Sequence, residues 1–122
     1  MIKRFIDADL FTKKFFRSLS AEEKVLFFYI TTTCTYDGFW EHDPESVAFY
    51  CNGYNKAIPE TIINKLGMFQ TDDDQWFLSK WISFQYGVLR PSVRPHNRII
   101  ERLVRKGLDK QFPDLFRLRY DE

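Results

Sequence analysis

The chain has little of the material from which secreted and membrane proteins are built. Its 122 residues include two cysteines, Cys34 and Cys51, which are too few for a disulfide framework and favour a reducing compartment. No long apolar run follows residues 1–4, and nowhere do about 18 uncharged apolar residues occur in succession. We therefore predict a cytoplasmic protein with neither an export signal nor a membrane span.

Motifs of catalysis and metal binding are also missing. The five glycines form no phosphate-cradling loop, and neither G-x-S-x-G nor H-E-x-x-H occurs. Structural zinc usually draws on close ligand pairs, which the cysteines and histidines do not form. These four residues are Cys34, His42, Cys51 and His96. The acidic residues 72–74 offer oxygen ligands to a divalent cation, but a solvated turn is the simpler interpretation. We predict a protein that is not an enzyme and uses no cofactor or metal.

Aromatic residues are the abundant class. Thirteen Phe, six Tyr and three Trp suit the core of a small domain, and the chain length predicts one domain over residues 1–122. The formal net charge is +1, but the charge is unevenly distributed. Residues 37–74 hold two basic and eight acidic side chains, whereas residues 75–122 hold ten basic and five acidic ones. The nearly neutral total therefore hides a basic C-terminal part.

Residues 43–79 begin with the pattern of a short helix. Asp43 has the carboxylate acceptor that an N-cap needs, and Pro44 suits the first helical position. Asn52 and Gly53 tolerate the left-handed backbone in which helices commonly end. The residues that this helix is predicted to bury are Val47, Ala48, Tyr50 and Cys51.

A second short helix and a β-ribbon follow. The helix is predicted over residues 59–66 and ends at Gly67. Its apolar face consists of Ile62, Ile63 and Leu66, and its outer face of Glu60, Thr61, Asn64 and Lys65. Residues 68–71 and 75–79 are rich in apolar and aromatic side chains and predict two strands, joined by a turn at residues 72–74. This hairpin has the place of a wing.

The N-terminal part supplies the helices that precede this unit. An amphipathic helix is predicted from near Asp9, with one face formed by Phe11, Phe15 and Leu19. Ser20 and Glu23 match the capping box and begin a central helix of about four turns. Residues 39–41 can add a third strand to the hairpin. The predicted fold is therefore α+β and mostly helical: a winged helix, in which a helix-turn-helix precedes a β-hairpin wing, with a core over about residues 9–87 and additional N- and C-terminal helices.

The C-terminal part carries a basic stripe. A helix over residues 80–86 with Trp81, Ile82 and Phe84 is predicted to cap the core, and residues 87–95 form a connector. The next helix, over about residues 95–107, has an apolar side of Ile99, Ile100, Leu103 and Val104. Its basic side comprises Arg94, Arg98, Arg102, Arg105 and Lys106. The remaining segment is apolar enough to dock on the domain or on another chain, through Phe112, Leu115, Phe116 and Leu118.

These patterns predict a DNA-binding surface in two parts. Arginines at four-residue spacing can meet successive phosphates and release counterions, which makes Arg94, Arg98, Arg102, Arg105 and Lys106 candidates for backbone contact. The alternative for this stripe is a solvated helix face. Base edges would be reached by the second helix of the helix-turn-helix and the loop before it. The candidates there are Asn55, Lys56, Thr61, Asn64 and Lys65.

Several runs of the sequence carry a family resemblance. They are Lys3-Arg4-Phe5-Ile6-Asp7, Arg17-Ser18-Leu19-Ser20, Tyr36-Asp37-Gly38-Phe39-Trp40-Glu41, Trp76-Phe77-Leu78-Ser79-Lys80-Trp81-Ile82-Ser83-Phe84-Gln85-Tyr86-Gly87 and Pro95-His96-Asn97. Over residues 3–108 the chain resembles the N-terminal domain of phage replisome-organiser proteins, which are related to the DnaD-like replication initiation proteins. The resemblance implies a winged-helix domain that binds origin DNA or self-associates during replication initiation, in phage or prophage-bearing bacteria.

Two other functions stay open at this point. A protein-interaction domain would form a homo-oligomer or bind replisome proteins such as a helicase loader, without direct DNA contact, through exposed aromatics and the C-terminal segment. A winged-helix transcriptional regulator would have the same fold. The double substitution Arg98→Glu with Arg102→Glu is expected to abolish DNA binding and leave assembly intact, which separates the first two functions.

Overall fold

The computed structural model describes residues 3–116 and has an α+β architecture, with about half of these residues in helices. Within them the elements follow one another as α1 (Lys14–Arg17), α2 (Ala21–Thr33), β1 (Phe39–Glu41), α3 (Pro44–Tyr50), α4 (Glu60–Leu66), β2 (Met68–Gln70), β3 (Gln75–Leu78), α5 (Ser79–Tyr86) and α6 (Arg94–Arg105). Short 3₁₀ turns cover Leu10–Thr12 and Pro113–Leu115. The predicted order of helices and strands is confirmed, apart from the N-terminal helix.

The three strands form one antiparallel sheet in the order β1-β3-β2. Phe39 of β1 pairs with Phe77 of β3, and Phe77 pairs on its other side with Phe69 of β2. Because side chains alternate between the faces of a sheet, these three phenylalanines share one face. Trp40 and Trp76 pair in the next register position and belong to the opposite face. The prediction that residues 39–41 add a third strand is confirmed.

Local capping signals explain where α2 and α3 begin and where α3 ends. Glu23 N donates to Ser20 Oγ and Ser20 N to the Glu23 carboxylate, which completes the predicted capping box of α2. Asp43 caps α3 by accepting a hydrogen bond from Glu45 N. Past the end of α3, Asn52 has the left-handed backbone that its sequence position predicts.

The predicted N-terminal amphipathic helix is wrong. A 3₁₀ turn ends at Lys13, whose backbone is extended, and only the four-residue α1 follows. Leu10 and Phe16 are therefore buried; of the predicted apolar face, Leu19 is buried and Phe15 half-buried, but Phe11 is exposed. Lys13 and Ser20 are only seven positions apart. One short turn of α-helix therefore fits between them before the capping box at Ser20 begins α2.

Several apolar side chains that periodicity assigned to the core are exposed instead. They are Tyr50 of α3, Phe84 of α5 and Val104 of α6. On each helix the covered face is narrower than the apolar pattern, and only the pairs Val47 with Cys51, Trp81 with Ile82, and Ile99 with Leu103 are buried. The buried core is formed around Phe16, Leu26, Ile30, Ile62, Phe77, Leu78, Ile82, Ile99 and Leu103.

The C-terminal segment closes the phenylalanine face of the sheet. Leu108 N donates to Leu103 O after Gly107 with its left-handed backbone, so α6 ends as predicted. The ring of Phe112 then packs on Phe69 and Phe77, with ring centroids 5.5 and 5.4 Å apart. The predicted docking of this segment on its own domain is confirmed up to Phe116, whereas Leu118 lies outside the described residues.

Candidate nucleic-acid interface

The outer face of α4 is a short row of exposed polar side chains. Thr61, Asn64 and Lys65 are exposed, as is Glu60 in the first turn, while Ile62 and Leu66 are buried on the opposite side. The left-handed Gly67 turns the chain directly into β2, so α4 is held against the sheet at its C-terminal end. The predicted division of this helix into apolar and polar faces is confirmed.

The two helices that contact α4, α1 and α5, carry exposed cations that the sequence patterns did not identify as site residues. The ammonium group of Lys65 lies 4.9 Å from the ring centroid of Phe15 in α1, which contacts α4. Lys14 and Arg17 are exposed on that same helix. From α5, the Lys80 Nζ donates to Asn64 O at 3.0 Å. The signal available in the sequence was the basic excess of residues 1–36, but its proximity to α4 is a tertiary feature.

The loop before α4 offers a less favourable environment for phosphate. Asn55 and Lys56 are exposed, as predicted for residues that reach a ligand. They line a shallow polar pocket together with Glu22 and Glu23 at the start of α2. Both glutamates are also beside the N-terminal end of that helix, where negative charge is stabilised. Lys56 therefore shares a pocket with two glutamates of its own chain, whose negative charge disfavours a phosphate there.

The basic stripe of α6 divides into an exposed part and an anchored part. Arg94, Arg98 and Arg105 are exposed. Arg102 instead turns inward: its Nη1 is 3.1 Å from the Asp37 Oδ2, and its guanidinium lies 4.5 Å from the Phe39 ring centroid.

Lys106 turns the same way, because its Nζ donates to Gln75 Oε1 at 2.9 Å and lies over the same Phe39 ring. Helical geometry explains the division. Each four-residue step rotates a side chain by about 40° around the axis, so the row of arginines drifts from solvent towards the buried side of Ile99 and Leu103. The interpretation of Arg102 as part of a uniform polar side is corrected: it anchors α6 to the domain.

The candidate residues thus form two separate sets. The α4 set consists of Thr61, Asn64 and Lys65, on a helix that packs against β2, α5 and α1. The exposed arginines belong to α6, which is anchored on β1 and β3 by Arg102 and Lys106. The acidic turn at residues 72–74 is exposed at the tip of the hairpin, as predicted. A phosphate backbone that contacts either set must therefore avoid this tip, since like charges repel.

The cysteines and histidines have structural surroundings that account for them separately. Cys34 and Cys51 are buried. Burial raises the pKa of the Cys34 thiol to about 11, although the guanidinium of Arg4, which donates to Sγ at 3.4 Å, opposes the shift. His42 stacks on Trp40, and His96 Nδ1 accepts a hydrogen bond from Arg90 N. Within residues 3–116 no three potential ligands come together in a metal-binding group.

No protein-family model, curated protein or solved structure matches the chain. Among residues 3–116, none of the helices has both the length and the apolar character that crossing a membrane requires.

Proposed function

We propose that this chain is the DNA-binding winged-helix module of a phage-type replication initiation protein. The element order supports the fold assignment: α2, β1, α3, α4 and a β2–β3 hairpin follow one another, with β1 added to the hairpin in the sheet order β1-β3-β2. In this assignment α3 and α4 form the helix-turn-helix, and α4 is the recognition helix. The replication role rests on the family resemblance of residues 3–108.

One observation carries the DNA-binding proposal. Within residues 3–116, ion pairs join only Lys13 to Asp7 and Arg102 to Asp37. The exposed cations of α1, α4 and α5 and the exposed arginines of α6 therefore have no carboxylate within 4.0 Å among these residues. Their charge is available to phosphates. They are Lys14, Arg17, Lys65, Lys80, Arg94, Arg98 and Arg105.

The mechanism combines electrostatic docking with limited base reading. Lys14 and Arg17 on α1 and Lys80 on α5 belong to the two helices that contact α4, and they would bind phosphates beside it and release condensed counterions. Asn64 and Thr61 on the exposed face of α4 would then meet base edges. Since α4 has no arginine to pair bidentately with guanine, most of the affinity comes from the phosphate contacts.

The test is fluorescence anisotropy of labelled duplex and single-stranded DNA across a salt series. We expect saturable binding whose log K falls with log salt by about 0.9 for each phosphate contacted, and so by about 3 to 5 in total. The variant Lys14→Glu/Lys65→Glu should weaken binding and flatten the slope by about 2. Lys110→Glu, an exposed charge reversal in the C-terminal loop, is the matched control.

The α6 set is tested in the same assay with Arg94→Glu/Arg98→Glu/Arg105→Glu. Arg102 is left intact because its loss would leave the buried Asp37 carboxylate without a cation to neutralise it. An unchanged affinity in this variant would remove α6 from the interface. No binding by the wild-type chain even at low salt would overturn the DNA proposal.

A protein-interaction module is the second candidate, and one surface favours it. Phe49 is 79% exposed on α3 and lies beside Tyr50, whose ring stacks on Tyr29 at 5.7 Å. The exposed carboxylate of Glu45 lies one turn before Phe49 on α3. Such a patch repels DNA and suits self-association or a basic partner. A sedimentation series that gives a monomer at all concentrations would exclude self-association through it.

A further inference from the structure

An apolar groove of about 290 Å³ lies on the side of the molecule where α2 and α5 face each other. We name it the α2–α5 groove. Its apolar lining consists of Phe5, Ile6, Leu10, Phe27, Phe28, Leu66, Trp81 and Phe84. Phe27, Leu66, Leu10 and Trp81 are buried and form its floor. DNA phosphates and base edges are polar and gain nothing from an apolar lining. The proposed DNA contacts therefore do not account for the groove.

The rim of the groove extends the apolar surface beyond the cavity itself. Phe5 is 72% exposed, Ile6 is 63% exposed and Phe84 is 51% exposed. Polar contacts hold the segment that carries the first two: Gln85 accepts from Phe5 N at 3.0 Å and donates to Phe5 O at 2.8 Å. These hydrogen bonds therefore hold the rim segment in place on the domain. A ligand that only filled the cavity would leave these rim side chains in water, which favours a larger partner.

The polar side chains of the groove are already hydrogen-bonded or ion-paired, except that two lysines have no carboxylate partner; Lys80 Nζ donates only to the Asn64 carbonyl oxygen. Asp7 accepts from Lys13 Nζ at 3.0 Å, and both polar atoms of the Gln85 side chain bond to Phe5. The Thr31 hydroxyl donates to backbone carbonyls of its own helix. Lys65 and Lys80 remain, exposed and without a carboxylate within 4.0 Å among residues 3–116. The groove thus has an apolar floor and a net positive edge.

These features define the chemistry of the partner. An extended peptide needs a row of donors and acceptors for its backbone, and the side chains of the groove offer it only two lysine ammonium groups. A helix satisfies its backbone internally and needs only side-chain contacts. The two lysines are complementary to carboxylates. We propose that the α2–α5 groove binds an acidic amphipathic helix of a partner protein, with large apolar side chains one turn apart in the cavity and carboxylates at Lys65 and Lys80.

The test uses a labelled synthetic peptide of about 16 residues, built from Ala and Glu with Leu and Phe at helical i, i+3, i+4 and i+7 positions. A second peptide has Lys in place of every Glu. Binding to the full chain is measured by anisotropy in the absence of DNA, and the site is mapped by NMR. We expect micromolar binding of the acidic peptide with shifts at Trp81 and Phe84, and binding of the basic peptide at least about tenfold weaker.

Two variants and a matched control connect binding to the groove. Phe84→Ser removes an exposed rim ring and Lys80→Glu reverses a rim charge, and each should weaken the acidic peptide by about tenfold or more. Val88→Ser removes an apolar side chain that is as exposed as Phe84 but does not line the groove, and it should leave the affinity unchanged. Circular dichroism confirms that each variant is folded.

Several results would overturn the proposal. One is the absence of saturable binding of the acidic peptide at ~1 mM, a concentration that detects even weak complexes. Another is binding that Phe84→Ser and Lys80→Glu do not alter, or shifts that map away from the groove. A third is binding of sodium decanoate in the groove without binding of the peptide, which would make this a site for a small amphiphilic anion.

Discussion

Arg102 shows how one residue can belong to a basic pattern and yet serve the fold. Its guanidinium meets the carboxylate of Asp37, which is 2% exposed and also accepts a hydrogen bond from the Thr35 hydroxyl. The ion pair joins α6 to the turn before β1, 65 residues earlier in the chain. Breaking such a pair from one side is costly because it leaves a buried charge unpaired.

Arg102→Ala is therefore expected to lower the free energy of unfolding by about 3 kcal/mol. Urea denaturation measures this difference. Arg98→Ala, an exposed position one turn earlier on α6, serves as the control and should change stability by no more than about 0.5 kcal/mol. Equal effects of the two substitutions would contradict the anchoring role of Arg102. The same reasoning shows that the charge reversal at Arg102 expected to test DNA binding would also destabilise the fold.

The buried Cys34 thiol makes the free energy of unfolding fall as the pH rises in the alkaline range. Its thiol pKa is raised by burial from 9.0 to about 11, so the folded state disfavours the thiolate more than the unfolded chain does. The stability that the folded state keeps while the Cys34 thiol is neutral is present in full below pH 9 and is lost as the pH rises towards 11. Between about pH 8 and pH 10 we expect this group to reduce the free energy of unfolding by about 1.4 kcal/mol.

Cys34→Ala isolates that contribution. The substituted chain keeps the other groups whose pKa burial raises, Cys51, Tyr29, Tyr54 and Tyr86, so their effects cancel in the comparison. Denaturation at about pH 8 and pH 10 should show a larger loss of stability for the wild-type chain than for the variant. The same loss in both chains would mean that the Cys34 thiol is not shielded from water in the folded state.

Among the elements, the junction between α4 and β2 depends on one glycine. Gly67 has φ +61°, and Ser79 Oγ donates to its carbonyl oxygen at 2.8 Å. A Cβ at this position would approach Lys80 N to 2.8 Å and collide with the Ser79 hydroxyl. Both the backbone conformation and the close approach of α5 therefore require the absence of a side chain.

Gly67→Ala should destabilise the protein by about 3 kcal/mol, since it adds a steric collision to the cost of a left-handed alanine. Gly53→Ala is the matched control. Gly53 has φ +79°, and a Cβ added there would meet nothing within 4 Å, so only the conformational cost of about 1 kcal/mol applies. Thermal unfolding of the two variants compares these costs directly. Equal losses would show that α5 does not press on the junction.

At the scale of the whole molecule, the C-terminal segment closes the sheet over a long sequence separation. Phe112 packs on the rings of Phe69 and Phe77, and a backbone hydrogen bond from Leu89 N to Leu115 O joins this segment to the connector before α6. One face of the sheet is thereby covered by residues that follow the last helix. The packed core therefore extends past the residues, about 9–87, that were predicted to form it.

Phe112→Ala is expected to cost about 2 kcal/mol of unfolding free energy, less than a fully buried phenylalanine because Phe112 is half-buried. Chemical denaturation followed by tryptophan fluorescence measures it. Val104→Ala removes an exposed side chain from α6 and should cost well under about 1 kcal/mol. A Phe112 variant as stable as the wild-type chain would show that the segment only lies on the surface.

Local signals in the sequence determined the elements of this protein. Ser20 with Glu23, Asp43 with Pro44, and Gly67 each act within a few residues, through hydrogen bonds and backbone conformations that neighbours in sequence complete. Aromatic and apolar runs likewise determined the three strands. These interactions need no distant partner, which is why the helix and strand bounds from α2 to α6 were predictable to within a few residues.

Only the tertiary structure decided which surfaces are free to bind. Arg102 forms an ion pair with Asp37, while Arg98 is exposed. The four-residue spacing of the arginines cannot reveal this difference, because it depends on which side of α6 packs against the rest of the domain. The cations of α1 and α5 approach α4 from distant parts of the chain. The α2–α5 groove likewise exists only because residues 5–10 fold back beside Trp81. Burial and ion pairing are properties of three-dimensional packing, and so the candidate sites required the fold.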